Sequence, residues 1–164
     1  FPFAHKYNLR IYGQDWTHFD RVLSWIQRGG QYFNVKLLAQ IRKPKLALED
    51  EARIYASSLV SVNVHEKYQL NYGGDCNERT FKIPLCGGFE VVDNVACIKR
   101  YFESGKELII AENSEEWVDM VHYYLKHPEE RELIIEAGKQ RVLSDHTYHN
   151  RADQMITIKK RKIS

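Results

Sequence analysis

Between two glycine pairs, Gly73-Gly74 and Gly87-Gly88, the chain carries Asn77, Glu78, Arg79, Thr80 and Lys82, interleaved with Phe81, Ile83 and Leu85. An arginine among amide and hydroxyl groups suits one kind of chemistry: its planar fork can take an anion in two parallel hydrogen bonds. Asp75 followed three residues later by Glu78 has capping-box form, so a helix is expected to begin near Cys76. Its free N–H groups would then face an anion such as a phosphate. Pro84 lacks an N–H and crowds the turn before it. The helix is therefore expected to be short or kinked, ending at Cys86 with Gly87 as a left-handed cap. A helix start that binds nothing is the plainer reading, and spacing alone leaves it open.

Other candidates carry less. His65 closes a β-branched run, a position that sets it above the other six histidines. His146 and His149 stand three apart without a cysteine or carboxylate at zinc-like spacing. Ser57-Ser58 lacks the G-x-S-x-G context of a hydrolase nucleophile. There is no G-x-G-x-x-G, no Walker-type loop and no D-x-D, so a conventional dinucleotide site, a P-loop and a bound metal are not expected. Three cysteines, Cys76, Cys86 and Cys97, form neither an even framework nor a C-x-x-C pair. They fit a reducing compartment, hence a cytoplasmic location.

Formal charge is +2, from 24 basic and 22 acidic residues, too balanced to imply nucleic acid. The KKRK cluster at 159–162 reads first as a solvated tail, with peripheral membrane-surface or nucleic-acid contact as the minority reading. No apolar run reaches the roughly 18 residues of a membrane span. The chain begins at Phe1 without a signal-peptide pattern, and we expect it to be part of something longer.

The elements that must position these residues alternate in type. Leu9–Tyr12 is a short β-type run. HFDRVLSWIQ at 18–27 has a helical stripe of Phe19, Val22, Leu23 and Ile26, stopped by Gly29-Gly30. Tyr32–Ile41 is expected as a strand, Leu48–Ser57 as a helix, and SLVSVNVHE at 58–66 as a central strand. Phe89–Val92 and Glu107–Ala111 are further strands, with a short helix at Val95–Phe102. The rest is helical: 114–127 with Ser114 as N-cap, a helix opened by Pro128, and a last one capped by Thr147 that runs into the basic tail at 147–164. This alternation predicts one α/β domain over 1–164, a Rossmann-like parallel sheet with helices on both faces. Ligands of such sheets bind beyond the carboxyl ends of the strands, and the glycine-bracketed segment is the largest loop there.

The order of motifs also resembles the C-terminal domain of GT-B glycosyltransferases, in particular the CgeB-like (spore-maturation) group. The blocks that carry the resemblance are IYGQDW, IYASS, SVNVH, NERTFKIPLCGGFEVVD, GKELIIAENSEEWVDMVHYYLKHPEER and AGKQRVLSDHTYHNRA. It implies a nucleotide-sugar-binding domain, the second of two Rossmann-like halves, whose N-terminal partner half is absent from this chain. The isolated half is expected to bind donor weakly and not to turn over. By position, Gly13 and Gln14 would lie near the donor phosphates and Arg42 and Lys43 near the nucleobase. Asn77, Arg79 and Thr80 would line the donor pocket, with Gly87-Gly88 packing the helix against its strand. Arg79 would stabilise the leaving diphosphate, with Glu78 and His65 as the other candidate catalytic groups. The chain departs from the pattern at one point: Lys82 and Gly74 stand where many relatives carry two acidic residues, the first of which accepts the ribose hydroxyls. A lysine cannot accept. It can meet a phosphate instead; either the donor sits differently, or Glu78 takes over, or the domain is a binding module without transferase activity. No cofactor beyond the nucleotide-sugar donor is implied.

Overall fold

A computed structural model of the chain describes residues 7–10, 18–35, 38 and 46–163. By contact the chain divides into two compact units, Phe1–Asp50 and Glu51–Ser164.

In the first unit, helix α1 spans His18–Tyr32. Gly29-Gly30 does not stop it, because a glycine in a helix interior costs only about 1 kcal/mol and breaks no hydrogen bond. The stop comes at Asn34, in the left-handed conformation with φ 56°. Tyr32 thus closes a helix instead of opening a strand, and Phe33-Asn34 is a turn, against the strand expected over Tyr32–Ile41. Leu9 and Arg10 join no strand, and the rest of the Leu9–Tyr12 run lies outside the described residues. Helix α2, Leu48–Ser57, whose residues from Glu51 onward belong to the second unit, is as expected.

The second unit holds a parallel sheet of three strands, β1 (Ser61–Asn63), β2 (Glu90–Asp93) and β3 (Ile109–Ala111), in that spatial order. Asn63 pairs with Val92, and Asp93 with Ala111, so the three carboxyl ends share one edge. Between β1 and β2 lie α3 (Lys67–Tyr72) and α4 (Arg79–Leu85). A 3₁₀ turn at Ile98–Arg100 leads to β3, where a short helix over Val95–Phe102 was expected. Then follow α5 (Ser114–Lys126), α6 (Pro128–Asp145) and α7 (Tyr148–Ile163).

Alternation along the strands puts a core on each face. Val92 and Ile110 meet Phe81 of α4 and Val142 of α6. On the opposite face, the Phe89 ring packs against Tyr124 of α5, centroids 4.7 Å apart and the rings tilted by 48°. The sheet is thus covered on both sides, the Rossmann-like α/β arrangement. Gly138 allows the closest approach: a Cβ there would lie 2.2 Å from the Glu107 carbonyl oxygen. Arg131, 7 % exposed, donates from Nη1 to the Tyr124 carbonyl at 2.6 Å, satisfying an end of α5.

One cap differs in detail from expectation and another follows it. Asn113, not Ser114, caps α5: its side chain accepts from the Glu115 and Glu116 amides, both at 3.0 Å. Thr147 does cap α7, its hydroxyl accepting from the Asn150 amide at 3.3 Å while the Asn150 side chain accepts from the Thr147 amide at 2.9 Å.

Candidate functional site

The connection from β1 to β2 forms α3 and α4 and contains the glycine-bracketed segment. Its first part is more ordered than a loop. Gln69 reaches back to accept from the Glu66 amide at 3.2 Å and opens α3, which Gly73 closes at φ 65°. Helix α4 begins at Arg79, not near Cys76, and Asp75 caps nothing. The Thr80 amide already bonds the Asn77 carbonyl at 3.3 Å. A seven-residue helix with its first amides so engaged offers no ready row of donors to an anion, so side chains must do that work. The far end is as expected. Gly87 at φ 76° and Gly88 donate to the Pro84 and Ile83 carbonyls, both at 2.9 Å, a paired left-handed stop. Gly88 also sits where a Cβ would meet Ile83 at 2.9 Å and the Tyr55 carbonyl at 3.0 Å.

Under α4, from the carboxyl end of β1 back to Glu90 at the start of β2, lies a buried polar cluster. Asn63, the last residue of β1, is fully buried and forms its hub. Its Oδ1 accepts from Arg79 Nε at 3.0 Å and from Asn77 Nδ2 at 2.9 Å. Its Nδ2 shares two hydrogens among three acceptors, Glu90 Oε1 at 2.7 Å, Asn77 Oδ1 at 3.1 Å and Thr80 Oγ1 at 3.2 Å. Arg79 makes a second bond, from Nη2 to the Val64 carbonyl at 2.9 Å, and its Nη1 has no hydrogen-bond partner among the described residues. The guanidinium is thus held on its inner edge while its outer edge faces solvent. Glu90 is 1 % exposed, and burial raises its carboxyl from the usual 4.5 to about 8, against the Asn63 hydrogen bond and the Arg79 charge, which lower it.

His65 joins the two strand ends. Its amide donates to Asp93 Oδ2 at 2.8 Å and its Nδ1 lies 2.5 Å from Asp93 Oδ1. With Nδ1–H given to Asp93, Nε2 accepts from the Thr80 hydroxyl at 3.4 Å. The imidazole has no exposed surface, so proton transfer to a ligand is closed to it in this arrangement. It braces the loop from which the Val64 carbonyl holds Arg79.

The remaining sequence candidates separate. Asn77 and Arg79 lie together at the rim, whereas Thr80 is fully buried with its hydroxyl committed inside. Lys82 points away: Nζ lies 2.9 Å from Glu78 and 3.4 Å from Glu51 of α2. Those carboxylates raise its pKa, the Glu78 hydrogen bond most, and engage Lys82 and Glu78 with each other. Gly13, Gln14, Arg42 and Lys43 lie outside the described residues. Asn63, Glu90 and Asp93 went unnoticed in the sequence, although an asparagine inside the run SVNVH was a usable signal, since a buried amide must be paired.

The profile of the glycosyl transferase-like family matches residues 2–157. The chain belongs to that family. No curated protein and no solved structure matches it. For a glycosyl transferase-like chain, the sheet edge at Asn63 and Asp93 is the place where a ligand is expected. That edge presents a guanidinium whose inner donors are already spent on the protein. Among the described residues no group of three metal-ligating side chains comes together, and no helix is long and apolar enough to cross a membrane.

Proposed function

We propose that the chain is the donor-binding half of a GT-B glycosyltransferase of the CgeB-like kind, taking a nucleoside-diphospho-sugar and working with an N-terminal half against an acceptor. The observation that carries this reading is Arg79, oriented at the carboxyl edge of a parallel sheet by Asn63 and the Val64 carbonyl. As the glycosidic bond to the donor phosphate breaks, negative charge grows on the leaving diphosphate. A guanidinium fixed beforehand stabilises that charge without reorganising at the moment of reaction. Asn77 beside it has its Nδ2 engaged by Asn63 Oδ1 and the Val64 carbonyl, and keeps only a lone pair on Oδ1 for a ligand hydroxyl.

A nucleoside diphosphate should raise the melting temperature of the chain, and Arg79→Ala should remove the rise while leaving the unliganded melting temperature within a degree or two. No shift with any common nucleoside diphosphate at millimolar concentration would overturn the reading.

Lys82 favours a second reading, a binding module that has lost transfer. Held between Glu51 and Glu78, it leaves no acidic side chain at that position of α4 for a ribose. Sugar transfer by the longer protein, lost on Arg79→Ala, would exclude this alternative.

A further inference from the structure

We propose that Asn63 and Glu90 are positioning residues for the diphosphate contact, a buried clamp that sets the direction in which Arg79 points; this rests on the donor-binding reading above.

Donor inventory alone fixes the clamp. Arg79 Nε only donates, so the Asn63 atom 3.0 Å away is the amide oxygen. The amide nitrogen then faces Glu90, whose Oε1 accepts at 2.7 Å, the shortest bond Asn63 makes. A flipped amide would set a donor against Arg79 Nε, so Arg79 fixes the amide orientation and Glu90 Oε1, accepting from the amide nitrogen, holds Asn63 in place beneath it. Glu90 Oε2 has no partner among the described residues, so this bond to Asn63 is the one that orients the carboxyl. A buried carboxyl with one oxygen unsatisfied costs stability, and an apolar residue of similar size would fill the space more cheaply. What the carboxyl does that an apolar residue could not is hold Asn63.

The test separates positioning from packing. Glu90→Met fills the volume and removes the acceptor, whereas Glu90→Gln keeps an oxygen for the Asn63 amide. Pyrophosphate and uridine, guanosine and adenosine diphosphates are titrated against the chain and its variants. Glu90→Met should keep or raise the melting temperature and weaken diphosphate binding about tenfold, while Glu90→Gln binds as the unaltered chain does. Arg79→Lys keeps the charge but cannot reach Asn63 in the same way, so Glu90→Met should add nothing in that background. A second readout needs no ligand. The Arg79 Nε–H proton should exchange with water at least about tenfold more slowly than those of exposed arginines, and Glu90→Met should abolish that protection. Undiminished binding by a folded Glu90→Met chain would overturn the proposal, as would an equal loss in the Arg79→Lys background. Unprotected Nε–H in the unaltered chain would overturn it even if Glu90→Met failed to fold. Protected Nε–H with no diphosphate bound would leave the clamp standing and sink the donor reading instead.

Discussion

Glu90 links the chemistry of the candidate site to the stability of the chain. Burial raises its carboxyl from 4.5 to about 8, so between those values the folded chain holds a proton that the unfolded chain has released. Stability must then fall as pH rises through that window, by up to about 1.4 kcal/mol per pH unit from this group, and level off above it. Thermal unfolding from pH 5 to pH 9 should show the decline, and Glu90→Gln should remove that component; identical slopes for the two chains would contradict the burial argument. Lys82 gives a prediction of the opposite kind. Since Nζ is engaged by Glu51 and Glu78 at a partly exposed position, Lys82→Met should cost less than about 1 kcal/mol and leave diphosphate binding unchanged. At this scale the sequence exposed the rim but not what lies beneath it. Asn77 and Arg79 stood out as polar residues between glycines. Asn63 and Glu90 are 27 residues apart, and their meeting depends on strand register, which neither residue type reveals. The polar character of His65 was visible; its burial between Asp93 and Thr80 was not.

The elements around the site depend on close backbone approaches that glycines permit. Gly138→Ala would push a methyl carbon to within 2.2 Å of the Glu107 carbonyl oxygen. Something must move, and a loss of about 3 kcal/mol is expected in chemical denaturation. Gly87→Ala meets no atom but must keep φ 76°, which costs about 1 kcal/mol through backbone conformation alone. Equal effects of the two substitutions would contradict this division between crowding and backbone strain. The three strands of the second unit, its long helices and the Gly87 stop follow from periodicity and turn chemistry in the sequence. Three local features did not. Gly29-Gly30 looked like a stop, but glycine only weakens a helix, and α1 ran on to Tyr32. Asp75 and Glu78 had the spacing of a cap, yet α4 starts later and makes no use of it. Helix α3 was missed because its six residues carry no apolar stripe long enough to read, and Gln69 rather than an acidic residue closes its first turn.

For the chain as a whole, membership of the glycosyl transferase-like family and the parallel sheet with helices on both faces support each other. The alternation of strands and helices made the α/β class legible early, since each element shows its own period. The binding reading rests on a smaller area, the carboxyl edge of β1 and β2, where one guanidinium is fixed from beneath and open above. A formal charge of +2 adds little long-range attraction, so affinity for an anion must come from that local arrangement. The most direct measurement is calorimetric titration of the chain with nucleoside diphosphates alongside the matching nucleosides. We predict saturable binding of at least one diphosphate, with its nucleoside at least about tenfold weaker, because the diphosphate engages Arg79 through charge-assisted bonds. Equal affinity for diphosphate and nucleoside, or no binding of either up to millimolar concentration, would contradict the account.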